Sequence, residues 1–400
     1  MTDATQILTV SRRGAERLRG GHLWVYRSDV LPATQAIALG GLVQVRDERG
    51  RKLGSALFSS ASQIAVRLLS REEISKQALP ELLRSRIAAA VEFRRQRVRD
   101  SDSCRVIFSE SDLLPGLIVD KYNDVVALQA LTQAFDRPDV REIVLNRLAE
   151  EFPAASIVER VDSHIRELEQ LPPRESQLLR GDRSTTVFKL NGVHFEFDAL
   201  AGQKTGAFLD QRENYAAAAR YAHGRALDCF TYQGGFALHL ARVCESVTGV
   251  DASRPALAVA ERNEHLNCEQ HRCGEIEWIE ANAFDMLRDY AAAGHEYDTI
   301  VLDPPAFAKS KRALATALAG YKELNLRALK MLRPGGILVT CSCSFHVGEA
   351  EFLEMQGAAA ADAGRRVRII EKRGAAIDHP VLVNVPETSY LKCVICQLLE

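Results

Sequence analysis

From about residue 220 the chain alternates between apolar runs that read as strands and amphipathic runs that read as helices, which confines this part to very few architectures. Strand-like 225–230 leads to a helix over 234–243, strand 246–252 to helix 254–266, and strand 276–282 to helix 283–293. Strand 297–303 then leads to helix 312–332, and strand 336–342 follows. Two more apolar runs, 367–372 and 390–399, close the set as a hairpin. The predicted fold class is α/β, a doubly wound, Rossmann-like sheet of seven strands, which takes its ligand at the carboxy ends of the strands.

The residues at those ends are polar. Asp228 closes the first strand and is followed by CFTYQGGF, in which Gly234 and Gly235 let the backbone tighten before the helix. Asp251 closes the second strand, 23 residues on, where a carboxylate can take both hydroxyls of a ribose. Asn282, Ala283 and Phe284 end the third and are placed to frame an adenine edge. The turn lacks both the GxGxxG of a dinucleotide site and the GxxxxGK[ST] of a phosphate loop. S-adenosylmethionine is the ligand that fits, with Cys229, Phe230, Tyr232 and Gly234 of the turn in its pocket.

The fourth and fifth strands end in Asp303-Pro304-Pro305 and in Cys341-Ser342-Cys343-Ser344. An acid and a thiol at neighbouring strand ends suit the 5-position of cytosine. That carbon is a poor nucleophile until a thiolate adds to carbon 6 and makes the ring an enamine, and the addition is easier when nitrogen 3 is protonated or hydrogen-bonded by a carboxyl group. Cys343 is the expected nucleophile and Asp303 the acid; Asp303 and Pro304 are also expected to border the cofactor, with Pro304 stiffening the loop. Flanking serines predict an exposed Cys343 whose pKa is lowered by an unassigned neighbour; Cys341 reads as a buried structural thiol. Amine methylases place an aromatic ring after the second proline, where this chain has Ala306 and only then Phe307.

Upstream, 7–70 holds short apolar runs separated by glycine turns, as in a small β-barrel-like module. An α+β middle portion follows, then 163–184, read as a linker or long loop around Pro172-Pro173, and then a hairpin turning at Asn191-Gly192. The expected domains are 1–75, 76–184 and 185–400. Net charge is −2, which argues against holding nucleic acid by bulk charge, yet 1–75 carries eleven Lys/Arg against seven Asp/Glu. Six arginines between 84 and 99 read either as a basic face or as a solvated helix face. Nine scattered cysteines read as reduced thiols. His265, Cys268, His271 and Cys273 fit no zinc spacing, so no metal is expected. No run approaches the ~18 apolar residues of a membrane span, and a cytoplasmic protein is expected.

Nearly the whole chain resembles the bacterial large-subunit ribosomal RNA cytosine-5 methyltransferases with an amino-terminal PUA domain. The likeness rests on HLWVYRSDV (22–30), SESDLLPGLIVDKY (109–122), GQKTGAFLDQREN (202–214), DCFTYQGGF, DPPAF and SCS. The resemblance implies that Cys343 is the nucleophile, that Asp303 contacts the base, and that Lys204, Thr205, Phe208, Asp210 and Arg212 help close the cofactor pocket. It further implies ribosomal RNA as partner, naked or in an assembly particle, and a homodimer. Relatives with lysine after the two prolines differ from this chain's Ala306, so no cation is borrowed there. Methylation of an exocyclic amine or another base, and a non-catalytic RNA-binding or ribosome-assembly role, stay open at the level of sequence.

Overall fold

The computed structural model describes residues 6–32, 37–200, 207–268, 275–308 and 310–400. They pack into two compact units. One holds Met1–Val187, Phe197–Gly206 and Asp378–Thr388; the other holds Phe188–Glu196, Ala207–Ile377 and Ser389–Glu400.

The first unit opens with β1 (Gln6–Val10), α1 (Arg12–Arg19), β2 (Trp24–Tyr26), β3 (Leu42–Asp47), β4 (Lys52–Phe58) and β5 (Ile64–Ser70), whose strands form one sheet in the order β1-β3-β4-β5-β2. Alternation sends Leu8, Val10, Val43 and Val45 into its core. Ser11 caps α1 by accepting from the Gly14 amide at 3.2 Å. Gly54, at φ +123°, lets β4 and β5 close up, since a Cβ there would lie 2.1 Å from the Ser70 carbonyl oxygen. Val385, from the late segment of this unit, packs in the same core.

The same unit continues with α2 (Leu79–Arg97), β6 (Ser103–Phe108), β7 (Leu117–Tyr122), β8 (Val125–Ala130), α3 (Gln133–Asp136), α4 (Pro138–Glu151), β9 (Ser156–Glu159), α5 (Ser163–Leu168) and β10 (Gln177–Arg180). Its second sheet has the order β10-β9-β8-β7-β6, and α3 and α4 provide the crossover that the parallel β8–β9 pair needs. The stretch 163–184 is therefore not the linker expected: Asp162 caps α5, and β10 pairs antiparallel with β9. The arginines of α2 also differ from an open basic face. Arg94 is buried against Asp112 and the Asp378 carbonyl, Arg84 pairs with Glu150, Arg95 with Glu151, and Arg86 donates to main-chain carbonyls. Arg97 and Arg99 remain exposed.

A hairpin of β11 (Thr185–Leu190) and β12 (Val193–Asp198) follows, with Asn191 at φ +50° and Gly192 at +81°, the paired left-handed residues of a type I′ turn. The second unit then runs through α6 (Arg212–Tyr221), β13 (Arg225–Cys229), α7 (Gly235–Leu240), β14 (Ser246–Asp251), α8 (Arg254–Cys268), β15 (Glu275–Glu280) and α9 (Ala283–Ala293). It ends with β16 (Tyr297–Leu302), α10 (Leu314–Met331), β17 (Leu332–Ser342), α11 (Glu349–Ala363), β18 (Val367–Arg373) and β19 (Lys392–Leu398). The seven strands lie in the order β15-β14-β13-β16-β17-β19-β18, the first five parallel and β19 antiparallel to both neighbours. This is the doubly wound sheet expected, closed by the two late strands. Helix α7 stops at Leu240, three residues short of expectation. The order reverses between β14 and β16 around β13, so the crevice of such a sheet opens at the ends of β13 and β16. Among the described residues no helix is long and apolar enough to cross a membrane.

Candidate active site

Asp228 is fully buried near the end of β13. Its Oδ2 accepts from the Thr231 hydroxyl at 2.5 Å and the Ala237 amide at 2.9 Å, tying the strand to the first turn of α7. Its Oδ1 meets no hydrogen-bond donor among the described residues. Burial pushes its pKa up to about 7, against the pull of those two hydrogen bonds, with nearby Asp251 adding to the rise. The intervening turn is strained: Phe230 and Tyr232 have φ +65° and +53°, and Gly234 +86°. At Gly235 a Cβ would lie 2.5 Å from the Tyr215 hydroxyl, so glycine is required by close approach. Asp251 braces the same turn, accepting from the Tyr232 amide at 2.9 Å and the Ser253 amide at 2.8 Å.

Thr231, Tyr232 and Gly235 of this turn line a cleft open to solvent, whereas Asp228, Gly234 and Asp251 stand outside its lining. Phe208, Phe230, Tyr232 and Asp303, all expected at the cofactor, line it together with Tyr215 and Thr231. Phe208 meets Tyr232 edge-on, with ring centroids 5.2 Å apart. None of its described lining residues is Lys or Arg, which leaves little for a phosphate. Aromatic walls with the Asp303 carboxyl among them, and buried Asp228 behind, fit an adenosyl sulfonium.

The other expected cofactor residues stand outside that lining. Asn282 caps α9, accepting from the Phe284 amide at 2.9 Å; Ala283 is buried, and Phe284 leans toward Phe307 at 5.8 Å. Cys229 points into the sheet core, and only its carbonyl, accepting from the Asp303 amide at 3.3 Å, faces the loops. Arg212 is buried beside Glu213, and its carbonyl accepts from Asn191. Asp210 accepts from the Tyr390 hydroxyl at 2.6 Å. Lys204 and Thr205 lie outside the described residues, as do His271 and Cys273.

Asp303 follows β16, and its Oδ1 accepts from Gln211 Nε2 at 2.9 Å. Gln211 is itself oriented, because its Oε1 accepts from Asn214 at 2.6 Å. Burial, then the charges of Asp210 and Asp228, lift the Asp303 carboxyl to about 8, with Gln211 pulling the other way. At neutral pH this acid holds its proton.

Cys343 follows β17, its Sγ 3.9 Å from the Pro304 carbonyl oxygen. The thiol is half-buried, and burial, with Asp303 and Asp210 behind it, pushes its pKa up to about 11, against the pull of its own backbone hydrogen bond and then of Lys392. This corrects the expectation of an exposed thiol with a lowered pKa. Ser342 and Ser344 are fully buried and do not solvate the sulfur. Ser344 Oγ lies 3.0 Å from the Tyr321 hydroxyl and accepts from the Ala308 amide at 3.2 Å, holding the loop in place. Cys341 is buried and faces Cys393 across the β17–β19 pair, as a structural thiol would.

Gln211, Tyr215, Tyr390 and Lys392 escaped the sequence reading. Gln211 lies inside the LDQR segment and could have been found there; the others carry no local pattern.

Residues 8–71 match the PUA-like domain family, and residues 130–382 match the S-adenosylmethionine-dependent methyltransferase family. The chain is 36% identical over 388 residues to ribosomal RNA large subunit methyltransferase I of Pseudoalteromonas translucida (strain TAC 125), covering 95% of this chain and 96% of that one. It is 38% identical over 383 residues to the protein of that name from Pseudoalteromonas atlantica, covering 94% and 95%. The fold is shared with SMU.776 in complex with SAH, at TM-score 0.83 and 17% identity over 98% of this chain and 100% of that one.

Proposed function

Because the chain belongs to the S-adenosylmethionine-dependent methyltransferase family and carries a PUA-like domain at its amino end, we propose that it methylates carbon 5 of a cytosine in large-subunit ribosomal RNA. One observation carries the choice of atom: a thiol and a protonated carboxyl stand at the ends of adjacent strands, Cys343 after β17 and Asp303 after β16.

S-adenosylmethionine supplies an electrophilic methyl group. The protein's part begins with the base, which has to leave its stack to reach the crevice. Asp303, protonated at neutral pH and fixed by Gln211 at Oδ1, donates toward nitrogen 3 and makes the ring a better acceptor. Cys343, as thiolate, adds to carbon 6 and leaves carbon 5 nucleophilic. Once carbon 5 is methylated a base takes its proton, the freed electron pair re-forms the 5,6 double bond, and the C–S bond breaks to release the thiolate. Phe208, Phe230 and Tyr232 shield the cofactor from water. The PUA-like portion binds structured RNA through its backbone and shape, giving the catalytic unit its register. A ribosomal substrate in turn puts the protein's work in the cytoplasm.

Methylation of an exocyclic amine is the weaker reading. Ala306 occupies the place of the stacking aromatic, and Phe307 packs against Tyr321, ring centroids 4.7 Å apart, within the core cluster. Cys343→Ala is expected to abolish methylation of unmodified ribosomal RNA while S-adenosylmethionine still binds by calorimetry. Full product from that variant, or a methyl group mapped to a nitrogen, defeats the proposal.

A further inference from the structure

Burial pushes the Cys343 thiol up to about 11 even with Lys392 pulling the other way, so the proposed reaction depends on whatever stabilises the thiolate. The groups facing Cys343 come from four elements. Asp210 in the turn before α6 opposes the thiolate, Asp303 after β16 does so only once it has lost its proton, and Tyr321 of α10 is neutral. The remaining group is Lys392, at the head of β19.

The Cα register pairs Lys392 with Ser342, the residue before Cys343. Its ammonium donates to the carbonyl of Ser344, the residue after Cys343, at 2.7 Å, and to the Tyr390 carbonyl at 2.8 Å. The lysine therefore brackets the nucleophile, paired on one side and hydrogen-bonded on the other. We infer that Lys392 is the positioning residue for Cys343, holding the loop that presents the sulfur and supplying the positive charge that favours its ionised form. The inference rests on the cysteine-adduct reading above. Cys343 loses its proton to water, the negative charge on sulfur is held in the field of the ammonium, and no other bond changes. Burial lowers the pKa of Lys392 itself to about 8, while Cys343 and the exposed Glu351 raise it. Its charge is thus present at neutral pH and fades in alkali.

The test reads the thiol without RNA. The full chain is treated with iodoacetamide from about pH 6 to 10, and alkylation of the Cys343 and Cys268 peptides is followed by mass spectrometry, with exposed Cys268 as internal control. For Lys392→Met the rate at Cys343 is expected to fall about tenfold near neutral pH for each unit that the thiol pKa rises. It should approach wild type as pH passes the lysine's own ionisation, with Cys268 unchanged. Lys392→Arg keeps its charge and should stay fast throughout. If Lys392→Met no longer binds S-adenosylmethionine, Lys392→Gln decides, because it keeps a donor for the Ser344 carbonyl and loses the charge: slow alkylation supports the inference, and a wild-type rate overturns it. Equal alkylation of Cys343 in wild type and Lys392→Met at every pH also overturns it. A cytosine reading that fails with RNA leaves these rates as they are, whereas failure here alongside an inactive Cys343→Ala removes only the role of Lys392.

Discussion

Among single residues, Asp303 makes the sharpest claim, because its carboxyl is shifted from an ordinary value of 3.8 to about 8. A carboxyl with a raised folded-state pKa binds its proton more tightly folded than unfolded. Its contribution to stability is therefore largest in acid and declines as pH rises from about 4 to about 8. Asp303→Asn keeps an oxygen to accept from Gln211 and carries no charge. The gap in melting temperature between this variant and wild type should open in the variant's favour across that interval, as read by thermal denaturation, while methylation falls by about 10²- to 10⁴-fold. A constant gap would mean that Asp303 titrates normally. Asp303 and Cys343 were legible because parallel strands deliver their last residues to one edge. The thiol's surroundings were not, because serines that look like solvating neighbours prove to be buried struts. Lys392 was illegible for another reason: its meaning comes from an antiparallel pairing with a strand about fifty residues upstream, which no local pattern encodes.

For whole elements, the informative piece is the turn between β13 and α7. Its glycines looked like weak evidence for any ligand, and their spacing matches no standard fingerprint. The structure supplies the missing term, the Tyr215 ring of α6, which takes the space that a side chain at 235 would need. Gly235→Ala should push Tyr215 into the cavity it lines, lowering S-adenosylmethionine affinity at least tenfold by calorimetry and costing about 1–3 kcal/mol in urea unfolding. Unchanged affinity would show that Tyr215 has room to retreat. The alternation of strands and helices after residue 220 was readable because the central strands β13, β16 and β17 are largely buried on both faces, while helices such as α9 and α10 keep one face exposed. Residues 163–184 misled because a short capped helix and an exposed edge strand look as polar as a loop.

Across the whole molecule, the chain passes between its two compact units five times, so no single cut separates them. Residues Asp378–Thr388 show what is at stake: Asp378 accepts from the Arg105 amide at 2.8 Å, and its carbonyl takes buried Arg94 at the same distance. Asp378→Ala should therefore destabilise the protein by about 1–3 kcal/mol in urea unfolding, although the residue lies far along the chain from the sheet it serves. A fragment ending at Val187 should unfold at lower urea than the full chain does. The insertion was invisible in sequence because a short run such as Asp378–Thr388 between two strands reads as a connection. Strand β19, which follows it, slots between β17 and β18, both of which precede it in the chain. During translation the ribosome thus releases β17 with one edge bare, and Cys341 and Cys343 wait on a strand that emerges afterwards. The sheet of such a chain cannot close until that strand has been threaded home.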